Sequence, residues 1–222
     1  MIKYPPIEFW KHFKETKGAM STVEAIFMYN ACLEVPNKGV WVEMGCHKAK
    51  SALVSLMAWI DRDGRDFYLL EPEFKDIVFL NECQSTIIKF KINFDKRLKS
   101  ICCHFKDEYS TYFLPNHSEY GYIMWDTGSH GHELVSQEKP LLEDKIIKGG
   151  ILVMHDINSQ FIACTEAYND LINSGKYEAL QYDWNEIFDY VKEHNLEEGN
   201  NSWHLYPDLP HPPNFVGALR RR

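Results

Sequence analysis

No two of the six cysteines (Cys32, Cys46, Cys83, Cys102, Cys103 and Cys164) form a Cys-x-x-Cys pair. A disulfide framework belongs to small secreted chains. This chain has 222 residues and no signal-type leader, so it reads as cytosolic with reduced thiols. No Gly-x-Gly-x-x-Gly run is present, which argues against a dinucleotide bound through its pyrophosphate. No apolar stretch approaches membrane-spanning length, so a membrane partner is not expected. Basic clusters are scarce: the one run is Arg220–Arg222, against a net charge of −8. A surface that tracks phosphates needs clustered Lys and Arg, so a nucleic-acid partner is not expected either. Nor does any Pro/Gly/Ser-rich linker divide the chain.

What is present is a core. Hydrophobic residues make up 45% of the chain and aromatics 14%, enough for one large buried interior. "PPIEFWKHFKET" places Phe9, Trp10 and Phe13 on one helical face. In "STVEAIFMYNACLEV", Ser21 and Glu24 have the spacing of a capping box. Then short apolar runs alternate with helical patterns. "VWVEMG", "FYLLEPEF", "LKSICCHF", "YGYIMWD" and "GGILVMHD" read as strands one to five, each followed by a helix or a loop with a helical turn. "HELVSQEKPLLEDKI" reads as a helix broken or started at Pro140. "YEALQYD" and "PNFVGALRR" read as two closing strands with no helix after either.

This order predicts an α/β fold: a Rossmann-like, doubly wound, mostly parallel sheet with a C-terminal antiparallel strand pair. Residues 1–37 read as an N-terminal helical segment, a candidate lid, and 38–222 as the main domain. In open sheets of this kind, ligands lie beyond the carboxyl ends of the strands. The chain gathers acids there: Glu43 before Gly45, Glu71 after strand two, Asp107 after strand three, Asp126 after strand four, and His155–Asp156 after strand five. Gly45, followed by Ser51 at the next helix start, allows a ligand to approach backbone N–H groups. Glu71 is placed to accept ribose hydroxyls. Asp126 and Asp156 are hard oxygen donors, suited to Mg²⁺ or Ca²⁺ rather than zinc.

"VEMGCHKAKSAL" resembles the first motif of class I S-adenosylmethionine-dependent methyltransferases. "DTGSHGHELVSQEKPLLEDKIIKGGILVMHDI" is similar to the later half of the small-molecule O-methyltransferases of the macrocin type. The resemblance runs from about residue 38 onward and is strongest over 122–170. It implies that Glu43, Gly45, Cys46, His47, Ser51, Glu71 and Asp107 bind S-adenosylmethionine. It implies that Asp126 and Asp156 hold a divalent cation, with His155 a further ligand or a neighbour of one. His130 or His132 would take the hydroxyl proton of a small hydroxylated acceptor, sugar- or natural-product-like, with Asp126 beside it. Three positions depart from the family pattern: Ala49 where a second Gly is usual, Lys106 where a Gly is common, and an Asp126–His130 spacing one residue longer. An alternative is a protein of the same fold that binds the cofactor without transferring its methyl group. Homo-oligomerisation is left open.

Overall fold

Side chains alternate across a strand, so each strand of a sheet covered on both faces feeds two separate cores. In β1 (Val40–Met44), Trp41 joins one buried cluster and Val42 and Met44 the other. Tyr122 and Met124 of β4 (Tyr120–Trp125) fall on the Trp41 face, and Ile123 and Trp125 on the opposite one. In β5 (Ile146–His155), Ile151 and Val153 alternate in the same way with Leu152 and Met154. Carried one step further, the alternation sends Glu43 and His155 to the Trp41 face.

The computed structural model describes residues 1–18, 20–60, 66–94, 101–117, 119–126, 131–157, 161–196 and 216–222. With β2 (Asp66–Leu70), β3 (Cys102–Lys106), β6 (Tyr177–Ala179) and β7 (Val216–Arg221), the sheet order is β3-β2-β1-β4-β5-β7-β6. Strands β3 to β5 in that order pair in parallel, while β7 is antiparallel to both β5 and β6. This is the predicted Rossmann-like architecture with its antiparallel closing strands. Helices α1 (Ile7–Glu15), α2 (Thr22–Leu33), α3 (Lys50–Ala58), α4 (Ile77–Asn93) and α8 (Trp184–Glu193) supply the Trp41-side core. Helices α5 (Ser110–Phe113), α6 (His132–Glu143) and α7 (Ile162–Asn173) supply the other.

The capping box at α2 is formed: Glu24 N–H donates to Ser21 Oγ at 3.2 Å, and Ser21 N–H to Glu24 Oε2 at 2.7 Å. Every residue of α2 from Thr22 to Cys32 is buried. This part of the N-terminal segment therefore belongs to the same core as β1 and β5.

Three expectations need correction. Between β6 and β7 lies α8, capped by Asp183, which accepts from Asn185 N–H at 2.9 Å and Glu186 N–H at 3.4 Å. β6 is correspondingly short, because the chain turns into that cap. β5 begins at Ile146, before the Gly pair, and its pairing with β4 jumps from Tyr120–Ile146 to Tyr122–Ile151. Gly149 takes a φ of 79° inside this irregularity, a value that suits glycine. Finally, α6 continues through Pro140, which forfeits the bond that an N–H there would give to Ser136 O, and the helix ends within that same turn.

Candidate functional site

The sequence reverses direction between β1 and β4, and the crevice opens beyond their carboxyl ends, the switch point of an open α/β sheet. Backbone hydrogen bonds hold the rim in register: Gly45 N–H to Leu70 O at 2.9 Å, Glu71 N–H to Lys106 O at 3.0 Å, and Asp126 N–H to Met44 O at 3.0 Å. The loop after β1 is bent hard. Gly45, His47 and Ala49 have φ values of 80°, 41° and 63°, so two non-glycine residues take left-handed backbone within five positions. Such strain gathers where a loop shapes a site.

A cavity of about 710 Å³ opens here. Gly45, His47, Glu71 and Asp126 line it. So do Glu73, Glu108, Glu133 and Glu138, and no Lys or Arg is among the described lining residues. Glu71 is fixed at both oxygens, by His47 N–H at 3.0 Å and Glu73 N–H at 3.3 Å. Each oxygen retains a further lone pair. A second, smaller cavity of about 120 Å³ lies between the β1 loop and the α1–α2 connection. Cys46, Ser51 and His155 line it, and Gly45, His47 and Asp126 border both.

Glu43 is wholly buried on the α2–α3 side of β1. Ser51 Oγ–H donates to its Oε1, while its Oε2 has no partner. Burial pushes its pKa up to about 8; the Ser51 hydroxyl opposes the shift and Asp126 adds to it. Cys46 is a core residue, its thiol driven well above the ordinary range by burial. All six cysteines are free thiols.

At the ends of β4 and β5, Asp126, His155 and Asp156 each offer a donor atom, all within 4.8 Å of one another. His155 Nδ1 lies 3.1 Å from Asp156 Oδ2 and 3.8 Å from Asp126 Oδ1. Its Nε2 lies 3.3 Å from Oε1 of Glu24, in α2. Neither ring nitrogen makes a well-directed hydrogen bond to a described residue. Burial alone would lower the His155 pKa, but Asp126, Asp156 and Glu24 together hold it well above the ordinary histidine range. Asp156 has a φ of 58°, another left-handed non-glycine residue at the rim.

Two expected residues are not brought to the cavity. Asp107 is exposed; β3 ends at Lys106, and the turn into α5 presents Glu108, Tyr109 and Ser110 instead. His132 sits on the surface at the start of α6, with Nδ1 3.7 Å from Glu166 Oε2 of α7. His130 lies outside the described residues. Two buried carboxylates had not been singled out as site residues. Glu138 accepts from the Trp125 indole N–H at 2.6 Å and from Ser110 Oγ–H, and so ties β4, α5 and α6 behind the cavity. Glu24 faces His155. Glu24 had a visible signal, its capping position; Glu138 had only a helical position among other charged residues.

No protein-family model and no curated protein matches the chain. Solved structures do match. A methyltransferase homologue from Pyrococcus horikoshii aligns with a TM-score of 0.58 at 14% identity, covering 91% of this chain and 66% of that one. The Podospora anserina methyltransferase PaMTH1, bound to S-adenosylhomocysteine, gives 0.55 at 13%, with 97% and 87% covered. The O-methyltransferase TomG from Streptomyces achromogenes, involved in tomaymycin synthesis and solved with S-adenosylmethionine, gives 0.53 at 11%, with 81% and 83% covered. At such identities the likeness is one of fold: the chain has the fold of class I S-adenosylmethionine-dependent methyltransferases.

Proposed function

We propose that this protein is an S-adenosylmethionine-dependent methyltransferase that acts on a hydroxyl of a small molecule with the help of a hard divalent cation. The observation that carries the reading is the charge of the crevice. Glu71, Glu73, Glu108, Asp126, Glu133 and Glu138 line a cavity to which no described Lys or Arg contributes. Such a wall repels phosphates and suits a ligand with a ribose diol and a sulfonium cation. Glu71 accepts the ribose hydroxyls. The bent loop after β1, at the rim of the same cavity, borders the methionine part.

Asp126, Asp156 and His155 fit a cation. Two hard oxygens and one imidazole nitrogen, all within 4.8 Å of one another, lie close enough to share one hard divalent cation. The three converging groups, with a buried imidazole lacking directed partners, are the chemistry of a cation site. The cation, when bound, favours the ionised form of an acceptor hydroxyl. The protein's own residues do the alignment: they hold the acceptor oxygen in line with the methyl group and keep water away. His130 remains a proposed base from the sequence, and His47, at the rim of both cavities, takes the place of His132, which stands on the surface beside Glu166. The acceptor is proposed to be sugar- or natural-product-like; TomG, involved in tomaymycin synthesis, offers a parallel.

The test is calorimetric titration with S-adenosylhomocysteine, followed by methyl-transfer assays on hydroxylated acceptors with and without Mg²⁺. Glu71→Ala should weaken cofactor binding by about 1–3 kcal/mol, the scale of hydrogen bonds to a charged group. Asp126→Asn and Asp156→Asn should abolish metal-dependent turnover and leave cofactor affinity largely intact. Asn tolerates the left-handed backbone at position 156, so that variant removes charge without adding strain. Unchanged binding in Glu71→Ala would sink the cofactor assignment. The second reading, binding without transfer, is favoured by Ala49, whose methyl group occupies the β1 loop where the family usually has glycine. Tight cofactor binding without turnover on any acceptor would select it.

A further inference from the structure

The second carboxylate oxygen of Glu24 has a use that helix capping does not require. In a capping box the Glu side chain reaches back to one N–H, and Glu24 Oε2 does so, accepting from Ser21 at 2.7 Å. A cap of that kind works equally well in solvent. Glu24 is instead 1% exposed, and its Oε1 points to His155 Nε2 at 3.3 Å. Keeping a carboxylate dry costs several kcal/mol, roughly, unless a partner compensates it. His155 is the compensating group that the structure brings to it.

An imidazole has two nitrogens, and whatever engages one decides what the other can do. His155 Nε2 faces α2, and Nδ1 faces Asp156 and Asp126 on the crevice side. We propose that Glu24 is a positioning residue: it keeps the Nε2 proton on its own side and turns the Nδ1 lone pair toward the cation site. His155 is then the third donor to the cation, beside Asp126 and Asp156. This inference rests on the cation reading above and adds that α2 sets the geometry of the site. Because the cap fixes Glu24 from the other side, the ring's orientation is anchored in the buried helix rather than in the rim loops. Carboxylates that orient a ligating histidine are worth about 10- to 100-fold in metal affinity.

The experiment measures Mn²⁺ binding to the full chain by electron paramagnetic resonance, for the parent and three variants. Glu24→Gln keeps an oxygen for Ser21 N–H and turns an amide N–H₂ toward Nε2, which drives the ring proton to Nδ1. Glu24→Ala removes the contact outright. Ser21→Ala weakens the cap and leaves the His155 contact in place. Both Glu24 variants should lose about 10- to 100-fold in Mn²⁺ affinity, whereas Ser21→Ala keeps it. In the Mg²⁺-loaded parent, ¹⁵N spectra should show His155 protonated at Nε2 and bare at Nδ1, and Glu24→Gln should lose that signature. The proposal is overturned if both Glu24 variants bind Mn²⁺ like the parent, if Ser21→Ala weakens binding as much, or if Nδ1 carries the proton in the Mg²⁺-loaded parent. A parent that binds no Mn²⁺ overturns the cation reading itself and this inference with it. That outcome appears before any substitution is made, so the two failures are distinct.

Discussion

Glu43 is a carboxyl group set inside the core. It is fully buried, Ser51 alone among the described residues donates to it, and burial lifts its pKa from the ordinary 4.5 to about 8. The folded state therefore holds this proton up to about pH 8, while the unfolded chain releases it near 4.5. Between those values the folded state binds more protons, so the contribution is fully present below 4.5 and is lost as pH rises to about 8. We expect Glu43→Gln to be more stable than the parent at pH 8 in metal chelator. The gain should grow at up to about 1.4 kcal/mol per pH unit across the window and level off below it. Urea melts at several pH values check this; a pH-independent difference would refute it. At the neighbouring loop, magnitudes separate two strained residues. Left-handed backbone costs about 1–2 kcal/mol. At Ala49 a glycine would forfeit the burial of a methyl group, about 0.8 kcal/mol, and add chain entropy, so little is gained. His47 is exposed. We expect His47→Gly to stabilise the protein by about 0.5–1 kcal/mol in urea melts, with the backbone N–H to Glu71 preserved.

Among the elements, β1 and β4 meet through two glycines. A Cβ on Gly121 would lie 2.3 Å from Lys38 O, and one on Gly39 would lie 2.5 Å from Gly121 N. Neither neighbour is a flexible side chain, so the strands themselves would have to part. Gly121→Ala should cost about 1–3 kcal/mol, as overpacking does, read from the urea midpoint. The clash is at the opposite end of the strands from Gly45 and Asp126, so affinity for S-adenosylhomocysteine should hold in the folded protein. The elements also mark how far the sequence could be read. Strand ends were legible because short apolar runs stop at Glu71, Asp126 and Asp156, and the capping box was legible because Ser21 and Glu24 are three residues apart. Helix α8 was missed although Asp183 before Ile187 and Val191 carried the signal: only the strand patterns on either side of it were read. The meetings of Glu24 with His155 and of Glu138 with Trp125 were not legible. They depend on which face of a helix meets which strand, which no local spacing encodes.

For the whole molecule, the proposed ligands are also stabilisers, because a ligand that binds only the folded state adds about 2.7 kcal/mol at a hundredfold excess over Kd. For a chain of this size each kcal/mol moves Tm by about 2–4 °C. S-adenosylhomocysteine and Ca²⁺ should therefore raise Tm in separate increments, since Glu71 and the Asp126–Asp156 pair stand at different strand ends. Asp156→Asn should erase the Ca²⁺ increment and keep the other; differential scanning calorimetry with each ligand alone and together decides. Loss of both increments would mean that the two sites are one.

The insertion of β7 between β5 and β6 bears on how the protein is made. β5 carries His155, and Met154 and His155 pair with Gly217 and Val216, which the ribosome delivers some sixty residues later. Until then, the newly made β5 has β4 on one side and an open edge on the other, along a stretch from Ile151 to Met154 that ends fully buried. An unpaired apolar edge is a template for the wrong partner. The strand that carries His155 thus passes through a stage at which a chaperone can shield it.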